Sequence, residues 1–230
     1  MDMNMNDYAS HILAVGLTAM PCAGKGDCAE VLTSLAVRDM QPFYHVLTPR
    51  FSASARRILD TAKTAVDRDA LQRCVQIMEQ VGVDEGRGPG ELSRMLKTEI
   101  LTAAAFIEKP ILVILDGARW PTDEAMIRSF PHNFIIGIEA DQKVRWERAI
   151  KRAENAGDAE KAWERFQAED TAINERHIPT IMSGADIIIN NNSNAEGAHA
   201  RYHRMVEHHW FAEIRPRLVS MLSPHHKKNP

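Results

Sequence analysis

Residues 11–18, HILAVGLT, form a near-continuous apolar run that breaks at AMPCAGKGD. The run is followed by residues 27–37, where Ala29, Val31, Leu32 and Leu35 recur at helical spacing. A short apolar run bounded by a Gly/Pro turn reads as a buried strand, and spacing near 3.6 residues reads as a helix. The order strand, tight loop, helix constrains the fold more than any other feature of the chain. It places the loop between the C-terminal end of a strand and the N-terminal end of a helix. Successive backbone N–H groups of such a loop, with the positive end of the helix, make an anion site, and a lysine there reaches the oxygens of a polyphosphate. Lys25 is that lysine, and Gly24 lets the backbone approach a phosphate with no Cβ in the way. Met20, Pro21, Cys22, Ala23, Gly24, Lys25, Gly26 and Asp27 are therefore the candidate phosphate-binding residues. The alternative is a glycine-containing turn with an exposed lysine.

The common phosphate-loop pattern G-x-x-x-x-G-K-[ST] is met with two departures, Ala19 for its first glycine and Gly26 for its hydroxyl. Against the adenylate-kinase-like form G-x-P-G-A-G-K-G-T, Pro21, Ala23, Gly24, Lys25 and Gly26 match, whereas Ala19, Cys22 and Asp27 do not. Asp27, where threonine is usual, either helps to hold Mg²⁺ or caps the helix.

Further short apolar runs at 43–47, 111–115, 134–138 and 185–189 read as strands. Between and after them, 52–65, 67–80, 91–107, 142–167 and 195–222 read as helices, the fourth interrupted near Asn155 and exposed as a flap. Strands alternating with helices imply a parallel sheet covered on both faces, in one domain. Asp116 ends the 111–115 strand and Arg119 lies just beyond it. A carboxylate at the C-terminal end of a strand beside a phosphate loop holds Mg²⁺ or its waters, or orients an acceptor hydroxyl, and the arginine then clamps a phosphate. The alternative is a turn aspartate with a solvated arginine.

PCAGKG, DGARWPTDEAMIRSF, the basic stretch from Arg145 to Arg152, and GADIIINNNSNAEG follow one another in an order that resembles dephospho-CoA kinases. The resemblance is closer to their archaeal relatives, the dephospho-CoA-kinase-like and adenylate-kinase-like nucleoside monophosphate kinases. It spans about Val15 to Gly197, and only the phosphate loop is specific on its own. It implies an α/β, three-layer P-loop NTPase fold with a five-stranded parallel sheet, a helical acceptor-binding segment at about 48–108, a mobile lid at about 142–170, and a C-terminal helix at about 195–222. It also implies ATP and Mg²⁺, with Lys25 and the 20–26 backbone on the phosphates and Asp116 and Arg119 facing the acceptor. Asp27 and Asp116 are the Mg²⁺ candidates. Arg148 and Arg152 fall where such kinases carry lid arginines that neutralise the transferring phosphoryl group; the alternative is helix-surface residues paired with Glu147, Glu154 and Glu164. Arg50, Arg56 and Arg57 occupy the acceptor segment, where a phosphate needs a guanidinium fork. Asn190 to Ser193 would lie near the adenine.

The formal charge of -3 gives no global field for a polyanion, which argues against nucleic acid without excluding it. No stretch reaches the roughly 18 apolar residues of a membrane span, and MDMNMNDYAS lacks the basic and apolar regions of a signal peptide. Cys22, Cys28 and Cys74 make an odd count without a CxxC pair, so the expected compartment is the reducing cytoplasm. His199, His203, His208 and His209 lack partners at ligand spacing beyond Glu207, and His45 reads as a core or edge histidine. The chain is expected to be a monomer or homodimer whose C-terminal helix docks on the core. The expected function is ATP-dependent transfer of the γ-phosphate to a nucleotide or nucleotide-like acceptor, a (deoxy)nucleoside monophosphate or a dephospho-CoA-like molecule. The alternatives are a polynucleotide or modified-nucleotide kinase, and a regulatory P-loop NTPase.

Overall fold

The computed structural model describes residues 8–41, 43–52, 73–80, 90–152 and 163–222. Strand β1 (Ile12–Ala19) leads through the phosphate loop into α1 (Lys25–Met40), which is followed by β2 (His45–Leu47). Residues 73–80 are helical. Next come α2 (Glu91–Ala104), β3 (Ile111–Asp116), α3 (Pro121–Arg128) and β4 (His132–Glu139). Helices α4 (Gln142–Arg152), α5 (Trp163–Asp170) and α6 (Ile178–Ser183) precede β5 (Ile187–Asn190). The chain ends in α7 (Ala198–His209), a single π-helical turn (Trp210–Ile214) and α8 (Arg215–Leu222).

The five strands form one sheet in the order β2-β3-β1-β4-β5, and every pairing is parallel. The register sets Leu17 of β1 opposite Asp116 of β3, so the phosphate loop and the end of β3 emerge together at the C-terminal edge. A parallel strand buried on both faces is apolar throughout rather than alternating, and all eight residues of β1 are buried. Leu13, Val15 and Leu17 pack with Leu32, Trp210, Ile214 and Leu218 on one face of the sheet, while Ile12 and Ala14 pack with Leu96, Ile100, Ile127 and Phe130 on the other. Full burial of one such Leu or Ile side chain stabilises by about 1.5–3 kcal/mol. The C-terminal helix thus docks on the sheet through Trp210, Ile214 and Leu218, with Phe211 left exposed.

Three readings change. The last helix is interrupted by the π turn at 210–214. Two short helices went unread: α3, which starts at Pro121 with Asp123 in its first turn, and the six-residue α6. Neither is long enough to display a clear 3.6-residue period, so the capping chemistry was the readable signal for α3. The expected exposed flap is anchored at its root. Arg145 and Phe166 are buried, and Trp146, Trp163 and Phe166 form a chain of ring contacts at 5.4 and 6.3 Å between α4 and α5. Residues 153–162 between these helices, and the expected helix at 52–65 beyond residue 52, lie outside the described residues.

Candidate functional site

The phosphate loop is held from its carbonyl side. Arg145 Nη1 donates to Pro21 O at 3.2 Å, and Arg148 Nη1 donates to Cys22 O and Ala23 O at 3.4 and 3.3 Å. Asn191 Nδ2 donates to Ala23 O at 2.8 Å, and the Tyr202 hydroxyl donates to Gly24 O at 3.0 Å. These donors come from α4, from the segment after β5 and from α7, so three elements distant in sequence fix one loop. Helix α1 begins at Lys25 with no side-chain cap, and its first i to i−4 bond runs from Cys28 N to Gly24 O at 3.1 Å. The N–H groups of Lys25 and Gly26 precede that first bond and sit at the positive end of a 16-residue helix. That is a built site for an anion, and it fits the phosphates of a nucleotide.

Two backbone conformations make the turn. Gly24 adopts φ +107°, and a Cβ there would collide with Asn191 Nδ2. Cys22 adopts φ +62°, a left-handed conformation that costs an ordinary residue about 1–2 kcal/mol. This explains the glycine that the loop pattern carries at this position, and Cys22 takes the same conformation with strain.

The Lys25 ammonium pairs with Asp116 Oδ1, while Arg50 Nε lies 3.3 Å from Asp116 Oδ2. Backbone bonds fix the second contact, since Asp116 N donates to Pro49 O at 3.0 Å and Phe51 N donates to Asp116 O at 3.3 Å. Burial lowers the pKa of Lys25, the Asp116 carboxylate works against that shift, and the charges of Arg119 and Arg50 add to the lowering. Lys25 and Arg50 thus share one carboxylate, and the turn that leads to Arg119 runs beside Lys25, where a Cβ on Gly117 would lie 3.5 Å from Lys25 Nζ.

Arg119 projects from the turn after β3, with its Nη1 donating to Glu175 Oε1 at 2.6 Å. Its backbone N–H and that of Trp120 both donate to Asp123 Oδ2 at 2.9 Å, and Ser93 Oγ of α2 donates to Asp123 Oδ1. Burial raises the pKa of Asp123, and these hydrogen bonds oppose the rise. Trp120 packs on His177 with ring centres 5.4 Å apart. Glu79, from the helical stretch 73–80, accepts from the Thr122 hydroxyl at 3.3 Å, and burial, then the charge of Asp123, raises its pKa. A second wall beside the phosphate loop is therefore built from 73–80, the start of α2, the 117–123 turn and the 171–177 turn.

Lys25, Asp116 and Arg50 are brought together, and Arg119 lies on the turn just beyond Asp116, paired with Glu175. Arg148 is placed otherwise: besides Cys22 O and Ala23 O, it bonds Asn191 O at 2.7 Å, Ser193 O at 3.0 Å and Asn194 Oδ1 at 2.8 Å. Its guanidinium braces the loop through these carbonyls. Asp27 lies 4.0 Å from His199 Nε2 of α7, apart from the Asp116 pairings. Arg152 ends α4 and nothing is described of its side chain; Arg56 and Arg57 lie outside the described residues. His45 is exposed on edge strand β2. Among the described residues no group of three His, Cys, Asp or Glu side chains has metal-binding spacing, the C-terminal histidines included. A Mg²⁺ that keeps its waters and takes phosphate oxygens needs only one or two carboxylates, and Asp116 fits that requirement. Sequence reading missed Glu175, Asp170 and Asp123. Only Asp123 had a local signal, an acid in the first turn after Trp120-Pro121.

No protein-family model matches the chain, and no curated protein matches it in sequence. Solved structures do match in three dimensions. The shikimate kinase of Bacteroides thetaiotaomicron gives a TM-score of 0.50 at 12% identity, over 85% of this chain and 97% of that one. The chain has the P-loop NTPase fold. A shikimate kinase from Acinetobacter baumannii in complex with shikimate gives 0.45 at 10% identity, covering 91% and 99% of the two chains. A Thermus thermophilus protein gives 0.47 at 19% identity, covering 86% and 97%. These likenesses do not single out dephospho-CoA kinases. No described helix is long and apolar enough to cross a membrane.

Proposed function

We propose that this chain is a kinase that transfers the γ-phosphate of ATP to a nucleotide or nucleotide-like small molecule. The observation that carries the reading is the cluster at the C-terminal sheet edge. Lys25, at the uncapped start of α1, meets Asp116 at the end of β3, Arg50 reaches the same carboxylate, and Arg119 follows on the turn whose Gly117 abuts Lys25. The loop amides and Lys25 hold the β- and γ-phosphates, and Lys25 leaves its pairing with Asp116 to do so. Asp116 then faces either the waters of the metal or the acceptor hydroxyl. Mg²⁺, when bound with the nucleotide, neutralises triphosphate charge. Arg119 and Arg50 orient the acceptor by its own phosphate, since in-line transfer rests mainly on positioning and electrostatics. Arg145 and Arg148 keep the loop in its phosphate-binding shape.

A nucleotide-like acceptor, and the dephospho-CoA-like class in particular, is supported by the sequence resemblance and by two arginines near the end of β3, Arg50 on Asp116 and Arg119 on the turn beyond it, more than an acceptor without phosphate requires. The test is a panel incubated with γ-labelled ATP: ribo- and deoxynucleoside monophosphates, dephospho-CoA, shikimate and a 5′-hydroxyl oligonucleotide. Label on a monophosphate or dephospho-CoA is the expected result; label only in free phosphate, on shikimate or on the oligonucleotide refutes it. Residues 142–170 are proposed to close over the bound nucleotide. Hydrogen exchange should slow across the arm when a bisubstrate analogue is bound, and unchanged exchange would count against closure.

A further inference from the structure

Glu175 is fully buried, yet it makes only half of an ion pair's possible contacts. Its Oε1 accepts from Arg119 Nη1 at 2.6 Å, and its Oε2 has no hydrogen-bond partner among the described residues. A buried carboxylate loses its hydration, and a one-point ion pair compensates poorly for that loss. Stability is therefore a weak reason for a glutamate at this position.

The geometry around it supplies a better one. The turn carrying Glu175 is fixed on its N-terminal side, because Asp170 forms a buried pair with Arg145, whose guanidinium also donates to Ala140 O at 3.1 Å and Pro21 O at 3.2 Å. It is fixed internally as well: Glu175 N donates to Ala172 O at 2.8 Å and Ile178 N donates to Glu175 O at 3.1 Å. On the other side, the Arg119 backbone is pinned by Asp123. Two backbones, each hydrogen-bonded to its surroundings, thus hold the ends of one salt bridge, and a single Nη of Arg119 is engaged by it. The rest of the guanidinium belongs to a side chain that is 38% exposed, two residues beyond Gly117, where a Cβ would lie 3.5 Å from Lys25 Nζ.

We propose that Glu175 is a positioning residue of the acceptor site: it holds Arg119 by one Nη and presents the remaining fork to the phosphate of a phosphorylated, nucleotide-like acceptor. An arginine tethered in this way has lost its rotamer freedom before the acceptor arrives, so less is lost on binding. The inference rests on the acceptor role of Arg119 proposed above.

The test uses the full chain and the acceptor turned over fastest in the labelled panel. Glu175→Gln keeps the shape and removes the charge; Glu175→Asp keeps the charge and shortens the reach. Each should raise the acceptor KM about 10- to 100-fold, the range for losing a charge-assisted hydrogen bond, with ATP affinity within about 3-fold of wild type. The effect of Glu175→Gln should vanish in an Arg119→Ala background, because a residue acting through another contributes nothing once the other is gone. An equal loss in both backgrounds, or a fall in ATP affinity matching the fall in acceptor affinity, overturns the proposal. If Glu175→Gln does not fold by circular dichroism, Glu175→Asp carries the same comparison. The two readings fail separately. A wild-type chain that phosphorylates no phosphorylated acceptor, or an Arg119→Ala variant with unchanged acceptor KM, removes the foundation. A raised KM in Arg119→Ala beside a wild-type KM in both Glu175 variants removes this inference alone.

Discussion

The phosphate loop and the wall around Arg119 lie at the same edge of the sheet but are built by opposite means. On the loop side the binding groups are backbone amides, fixed because their neighbouring carbonyls are satisfied by Arg145, Arg148, Asn191 and Tyr202. On the other side the binding groups are side chains, and buried acids do the fixing: Asp123 under the turn and Glu175 on the Arg119 guanidinium. Amides serve any phosphate, whereas side-chain forks can be tuned to one acceptor. Under the proposed function, the donor half of the site is accordingly generic in form and the acceptor half particular to this chain.

The largest effect is expected where the two halves are tied together. Asp170→Asn leaves the Arg145 guanidinium buried without its counter-charge and should cost about 3–5 kcal/mol of stability, read from urea unfolding. A loss under about 1 kcal/mol would mean that the halves are held by something else. Next comes Lys25→Ala, which removes the cation from the amide cradle. Transfer should fall by at least about 100-fold in kcat while the melting temperature stays near wild type. Undiminished turnover would sink the donor-site assignment. Arg119→Lys tests the acceptor half by removing a fork that an ammonium cannot reproduce. Acceptor binding should weaken by about 1–3 kcal/mol while ATP affinity stays within about 3-fold. The reverse pattern would move Arg119 to the donor half and erase the distinction. The smallest effect belongs to the loop itself: Cys22→Gly relieves a left-handed backbone at the expense of chain entropy, for a net gain of up to about 1 kcal/mol in thermal unfolding. Destabilisation by that variant would show that the Cys22 side chain contributes more than its strained backbone costs.

The loop was legible because its signals are local. A buried parallel strand is apolar at every residue, α1 repeats its buried positions at helical spacing, and Gly24-Lys25 sits between them. The five strands were readable on the same grounds, and a parallel order follows from the alternation with helices. The acceptor side was legible only where a charge ended a strand, at Asp116 and Arg119. Arg148 was recognised as special by its place in the order of motifs, but its bonds to the phosphate loop were not foreseen. Whether a guanidinium reaches a transferring phosphate or braces a loop depends on which carbonyls lie within 3.5 Å of it, and those belong to Cys22, Ala23, Asn191 and Ser193.

By itself, then, the sequence determined the parallel sheet, the phosphate loop and the acid at the end of β3, since each depends on periodicity or composition within about 10 contiguous residues. Only the tertiary structure decided what holds those groups. Arg119 finds Glu175 56 residues away, Arg145 reaches Pro21 across 124, and Tyr202 reaches Gly24 across 178. A buried charge or carbonyl needs a partner in space, and the sequence around it does not show from which distant element that partner will come.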